Sequence, residues 1–150
     1  MTILKDFYHN IKAAISVVTA TITADTNGTS VDMQGYKSCA FYAVVGNSGD
    51  TLSSSVKIEL EIEDSPDDST WTDAADADIR ADGTTAVTGT NTGTFALIDA
   101  PAEDSTVFVG EYTGNERYVR PVINVTGTHT NGTPIGIIAV RGGNNYLPES

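Results

Sequence analysis

The clearest pattern in the chain is a strict alternation of apolar and charged residues from Val56 to Glu63. A period of two residues is that of a β-strand, whose successive side chains point to opposite faces of the sheet. The apolar positions therefore predict a buried face. The charged positions, Lys57, Glu59, Glu61 and Glu63, predict a face in contact with water.

Further short apolar runs, separated by residues typical of turns, predict more strands. In the run from 38 to 46, both the odd-numbered and the even-numbered positions are largely apolar. This pattern predicts a central strand that is buried on both faces. With about seven to nine strands, the chain is predicted to be all-β and to form an antiparallel β-sandwich of jelly-roll or immunoglobulin-like topology. The remaining predicted strands cover residues 17–23, 94–99, 106–112, 117–125 and 134–140.

Three features of the sequence carry more specific predictions, two of them in connections between strands and one within a strand. The sequence Thr113-Gly114-Asn115-Glu116 predicts a hairpin between the strands at 106–112 and 117–125, with Tyr112 and Tyr118 paired across it. Pro121 has no N–H group, which predicts an edge strand or a bulge at that position. The Gly- and Thr-rich stretch 82–94 predicts a long surface loop.

The first fifteen residues show a different spacing. Apolar side chains recur at steps of three and four, which predicts a short amphipathic helix. Two roles stay open for it: packing on its own sandwich, or acting as a helical or extended arm that docks on a neighbouring subunit or on another protein. The predicted division is an arm at 1–15, a sandwich at 16–141 and a tail at 142–150. The predicted contact residues are Ile3, Leu4, Phe7, Tyr8 and Ile11.

Composition supports a β-rich chain and argues against two classes of partner. Thr, Ser and Gly, at 21, 11 and 14 residues, make up about a third of the chain, and they are residues of strands and turns. The formal net charge is -12, and the eight Lys and Arg residues are scattered. Because binding to phosphate groups depends on clustered cations, neither nucleic acid nor an anionic membrane is an expected partner. No secretory signal is recognised at the start of the chain.

Candidate catalytic and metal-binding groups are few, and no catalytic, cofactor or metal site is predicted. His9 and His129 are expected to be solvated surface residues, and Cys39 to be a buried, inert thiol. Nine of the twenty acidic residues lie between Glu59 and Asp78. Alternate positions on a strand are spaced about 6.6 Å apart, which is loose for one cation, and the loop 64–69 lacks the pattern of a calcium loop. A solvated acidic surface is the expectation, and Trp71 is expected to fill the edge of the core.

Four stretches resemble a known family, the small capsid decoration (cement, or head auxiliary) proteins of tailed bacteriophages. They are DFYHNIK at 6–12, TNGTSVDMQGY at 26–36, EDSPDDSTWTDA at 63–74 and GNERYVR at 114–120. The resemblance implies a structural protein of the virion exterior, made in the host cytoplasm, that binds the major capsid protein and stabilises the assembled head. It also implies a homotrimer at three-fold positions, with no cofactor and no enzymatic activity. The alternative is a carbohydrate-binding or adhesin-like sandwich on a phage fibre or cell surface.

Overall fold

The computed structural model of the protein describes residues 8–81 and 91–143. These residues form eleven β-strands and three short 3-10 helices at Tyr8–Asn10, Asp76–Asp78 and Pro101–Glu103. Within these ranges, no helix has the length and apolar character needed to cross a membrane. The strands are β1 (Ile11–Ile22), β2 (Thr26–Asn27), β3 (Val31–Asp32), β4 (Ser38–Val45), β5 (Lys57–Ser65), β6 (Thr72–Asp73), β7 (Ile79–Ala81), β8 (Thr94–Ile98), β9 (Thr106–Tyr112), β10 (Tyr118–Thr126) and β11 (Thr133–Gly142).

The strands form two antiparallel sheets packed face to face. The five-stranded sheet has the order β1-β11-β4-β9-β7. The six-stranded sheet has the order β2-β10-β5-β6, with β3 also paired to β10 and β8 also paired to β5. The predicted all-β antiparallel sandwich is thereby confirmed.

The core fills the space between the sheets with the inward side chains of the central strands. Phe41 and Ala43 of β4 point inward from one sheet, and Ile58, Leu60 and Ile62 of β5 from the other, and all five are fully buried. This is the alternation that two facing sheets require, because each strand turns every second side chain toward its opposite sheet.

The first strand begins earlier than predicted, so the helical interpretation is wrong for residues 11–15. Ile11 pairs with Gly142 and Ile15 with Ile138, as part of the long β1–β11 ladder. A short isolated helix is marginal in water, whereas β11 offers these residues a complete row of backbone partners. Of the predicted contact residues, Ile3, Leu4 and Phe7 lie outside the described residues, as do most of the predicted 82–94 loop and the tail beyond Gly143.

The predicted hairpin at Thr113–Glu116 is a crossover between the two sheets. Strand β9 pairs with β4 and β7, whereas β10 pairs with β2, β3 and β5. The crossover is held by the buried Tyr112, whose hydroxyl donates to Asp64 Oδ2 at 2.9 Å and accepts the Glu116 N–H at 3.0 Å. The predicted Tyr112–Tyr118 pair is therefore wrong, because the two rings belong to different sheets.

Pro121 lies in an interior strand, which corrects the prediction of an edge. On one side it is in register with Ile62 of β5. On the other side β10 meets β3 at Val119 and β2 at Val122, with Pro121 falling in the gap between them. The neighbouring strand is thus interrupted where a proline cannot donate, and Gly28 N donates to the Pro121 carbonyl at 2.8 Å.

Candidate interaction surface and carboxylate cluster

The outer face of the five-stranded sheet is apolar and exposed to solvent. The row Ile15, Ile138, Tyr42 and Val109 runs across β1, β11, β4 and β9, each residue in register with the next. The adjacent row places Val44 beside Val107. We call this surface the apolar face, and define it by these six residues together with Ile11, Val18 and Val140.

Exposure on the apolar face is high for side chains of this type. Val18 is 73% exposed, Ile15 65%, Val107 55% and Val44 52%. The prediction that residues 38–46 are buried on both faces is therefore wrong, because β4 is central within its sheet but nothing in the described chain covers its outer side. Contiguous exposed apolar surface on a protein of this size is a feature of interaction sites.

A shallow groove of 410 Å³ crosses the apolar face, lined by Ile11, Tyr42, Val44, Val107, Ile138 and Val140. Ile11 is one of the predicted contact residues, and Tyr8, another, is 81% exposed just before it. Among the described residues, the row that contains Val140 ends in two charged residues, Glu111 and Arg80, which are in register with each other at the β9–β7 edge of the sheet. The face therefore contrasts with the strongly acidic composition of the chain.

The outer face of the six-stranded sheet is different, and here the predicted solvated row of carboxylates is wrong. Glu59 is 1% exposed and Glu61 is 4% exposed. Lys57 Nζ lies 2.7 Å from Glu59 Oε1, and Arg120 Nη2 lies 2.6 Å from Glu63 Oε2. Strand β5 is flanked by β10 on one side and by β6 and β8 on the other, so its outer row lies between side chains of both neighbours, as Glu59 does between Asn124 and Leu97.

Trp71 belongs to this outer cover and does not fill the core edge as predicted. Its ring lies 4.3 Å from the Arg120 guanidinium carbon, in a cation–π contact. The same guanidinium donates Nε–H to Glu63 Oε2 at 2.7 Å. Trp71, Arg120 and Glu63 therefore form one stacked and ion-paired unit.

Glu61 is the least well compensated carboxylate on this face. Burial raises the pKa of its carboxyl group, an effect that the neighbouring Asn124 and Asn91 side chains oppose. Its Oε2 atom is buried and has no hydrogen-bond partner among residues 8–81 and 91–143. Oxygens of Glu61, Glu63 and Asp73 lie within 4.8 Å of one another, so the side chains converge more closely than the strand spacing predicted.

Three further titratable residues were singled out in the sequence, and the structure describes all of them. Cys39 is fully buried, as predicted, and desolvation raises the pKa of its thiol to about 12. His9 is exposed, as predicted. The prediction for His129 is wrong: this residue is 5% exposed, its Nε2 lies 3.1 Å from the Thr126 carbonyl oxygen, and its Nδ1 lies 3.9 Å from Asp50 Oδ2.

The acidic loop after β5 satisfies its own backbone. Asp67 Oδ1 accepts the N–H groups of Thr70 at 2.7 Å and of Ser69 at 3.0 Å. These bonds hold the pKa of Asp67 well below its usual range. The Asp67 carboxylate therefore shapes the turn.

Comparisons of the chain with protein-family models, with curated proteins and with solved structures gave no match. The site is therefore interpreted from its own chemistry. The apolar face was missed at the sequence level because exposed and buried apolar residues look alike in a sequence. The signal available in the sequence was the run 38–46. Its residues are apolar on both sides of the strand, whereas a strand with only one apolar face alternates apolar and polar residues.

Proposed function

We propose that this protein is a structural binding protein of a phage virion, a capsid decoration protein that attaches to the outside of the assembled head. The observation that carries the proposal is the apolar face, an exposed hydrophobic surface on a protein of net charge -12. Covering such a face with an apolar surface of another protein removes both surfaces from water and makes the free energy of binding more favourable.

The form of the apolar face suits attachment to protein better than catalysis. It is built on four hydrogen-bonded strands, so the backbone positions that carry its side chains are fixed before any partner arrives. A preordered surface loses little conformational entropy on binding. Binding only to the assembled lattice would stabilise that lattice by mass action.

Strand β1 gives the same surface a means of self-association. It is the edge of the five-stranded sheet, and its residues Ile15 and Val18 belong to the apolar face. Edge strands can pair with an edge of another copy. A homotrimer around a three-fold position of the shell would place several apolar faces against the major capsid protein at once, and this multiplies a modest single-site affinity.

The proposal is tested by adding the purified protein to heads that lack it and measuring occupancy by quantitative mass spectrometry. Replacing Val44→Asp and Ile138→Asp together places two charges on the apolar face, and should lower occupancy at least about tenfold because those charges would be desolvated on binding. The matched control adds the same two charges elsewhere, at the exposed Asn115→Asp and Thr128→Asp.

If both double variants occupied the heads equally well, the apolar face would not be the surface that attaches the protein to the shell. Native particles should contain the protein at a copy number comparable with that of the shell subunit. A handful of copies per particle, together with binding to a glycan array, would instead support a carbohydrate-binding module on a fibre.

A further inference from the structure

The carboxylate cluster on the six-stranded sheet, opposite the apolar face, points to a ligand of its own. Glu61 and Glu63 alternate on β5, and Asp73 is in register with Glu63 on β6. One oxygen from each of the three lies within 4.8 Å of the others. Two oxygens bound to the same calcium ion at about 2.4 Å each are at most about 4.8 Å apart, so the three match the span of one ion.

Charge and hydrogen bonding in the cluster are unbalanced. Three carboxylates face one guanidinium, that of Arg120, which is bound to a single oxygen of Glu63. Glu61 is 4% exposed, and its buried Oε2 has no hydrogen-bond partner in the described part of the chain. A buried carboxylate oxygen without a donor is costly unless a cation or proton compensates it.

We propose that Glu61, Glu63 and Asp73 bind one calcium ion on the outer face of the six-stranded sheet. Three carboxylates and one guanidinium leave a double negative charge, which a divalent cation neutralises. The three proposed donors are all carboxylate oxygens, and the Asn91 and Asn124 side chains, which hydrogen-bond to the Glu61 carboxylate, are not counted among the ligands. Such a set suits calcium, which accepts irregular oxygen shells, better than magnesium, which requires a near-octahedral one.

The accessibility of the three residues is consistent with reversible binding. Glu61 is buried, Glu63 is half-buried and Asp73 is exposed, so the site opens to solvent on the β6 side. An ion there would join β5 to β6. Strand β6 is only two residues long, Thr72–Asp73, and this joint would fix the segment that carries Trp71.

The test uses the full-length protein after treatment with a chelator. Calorimetric titration with calcium chloride should give one binding event per chain, with magnesium chloride binding more weakly, and calcium should raise the melting temperature. Asp73→Asn, at an exposed position, and Glu61→Gln, which is isosteric, should each weaken binding about tenfold or more. Glu116→Gln removes an exposed carboxylate that is not part of the cluster and should bind as the wild type does.

Two results would overturn the proposal: no calcium-dependent heat or thermal shift in the wild type, or unchanged binding in both cluster variants. In either case, protonation of Glu61 would be the compensation for its burial. The outcome does not depend on the proposed function, because the cluster and the apolar face lie on different sheets and the attachment variants leave the cluster intact.

Discussion

Gly28 is the residue whose small size lets the chain place a proline inside a sheet. A Cβ atom added at Gly28 would lie 2.7 Å from Pro121 Cγ and 2.9 Å from the Pro121 carbonyl oxygen. Both neighbours belong to the interior strand β10, which cannot move without disturbing its pairing with β5. The close approach thus accounts for glycine at this position.

We therefore expect Gly28→Ala to lower the free energy of unfolding by about 1–3 kcal/mol, measured by urea denaturation, because the added methyl group overpacks the contact with Pro121. Gly142→Ala is the matched control. A Cβ there would meet its nearest atom at 3.9 Å, which is an ordinary contact. Equal losses for both variants would show that the effect comes from glycine itself and not from Pro121.

A second residue-scale prediction concerns acid stability. Backbone N–H groups hold the pKa of Asp67 below its unfolded value of about 3.9. A lowered folded pKa stabilises the protein above about pH 4, and the stabilisation is lost as the pH falls toward the folded pKa. Asp67→Asn should therefore melt at a lower temperature than the wild type at neutral pH, and the gap should narrow in melts recorded below about pH 4. A gap independent of pH would contradict this account.

At the scale of the strand, the crossover from β9 to β10 depends on one buried hydroxyl. Tyr112→Phe leaves the Asp64 carboxylate and the Glu116 N–H without their shared partner. We expect a loss of about 1–3 kcal/mol in the free energy of unfolding. Tyr118→Phe, which removes the hydroxyl of a half-buried ring that lies against Arg117, should change much less. Comparable losses would mean that the hydroxyl of Tyr112 does not hold the crossover.

The same strands show what the sequence could and could not predict. The alternation from Val56 to Glu63 correctly placed Ile58, Leu60 and Ile62 in the core, because a period of two is a property of the strand itself. The burial of Glu59 and Glu61 was not predictable, because it depends on which strands flank β5. The hairpin prediction failed for a related reason: residues 113–116 have the composition of a turn whether the next strand stays in the sheet or leaves it.

At the scale of the whole molecule, one acidic protein carries an apolar face on one sheet and ion-paired carboxylates on the other. The net charge of -12 makes separate copies repel each other, whereas the apolar face favours their association. Salt screens the first effect and leaves the second. The balance between the two therefore sets whether the free protein is monomeric.

We therefore expect the weight-average mass in sedimentation velocity to rise between about 0.01 M and about 1 M salt, where the screening length falls from about 30 Å to about 3 Å. The variant with Val44→Asp and Ile138→Asp should lose this salt-dependent rise, because its apolar face is charged, whereas pairing through the β1 edge would survive the two substitutions. The variant with Asn115→Asp and Thr128→Asp should follow the wild type. Association that survives the first pair of substitutions would locate the self-contact elsewhere.

The stack of Trp71 on Arg120 has a practical consequence. Trp71 is the single tryptophan of the chain. Its ring stacks on the Arg120 guanidinium, which donates a hydrogen bond to Glu63. Indole emission is sensitive to a nearby positive charge and to hydration. Any event that draws Glu63 away from Arg120 would therefore change the emission of an unlabelled sample, so the native chain contains its own optical probe at the cluster.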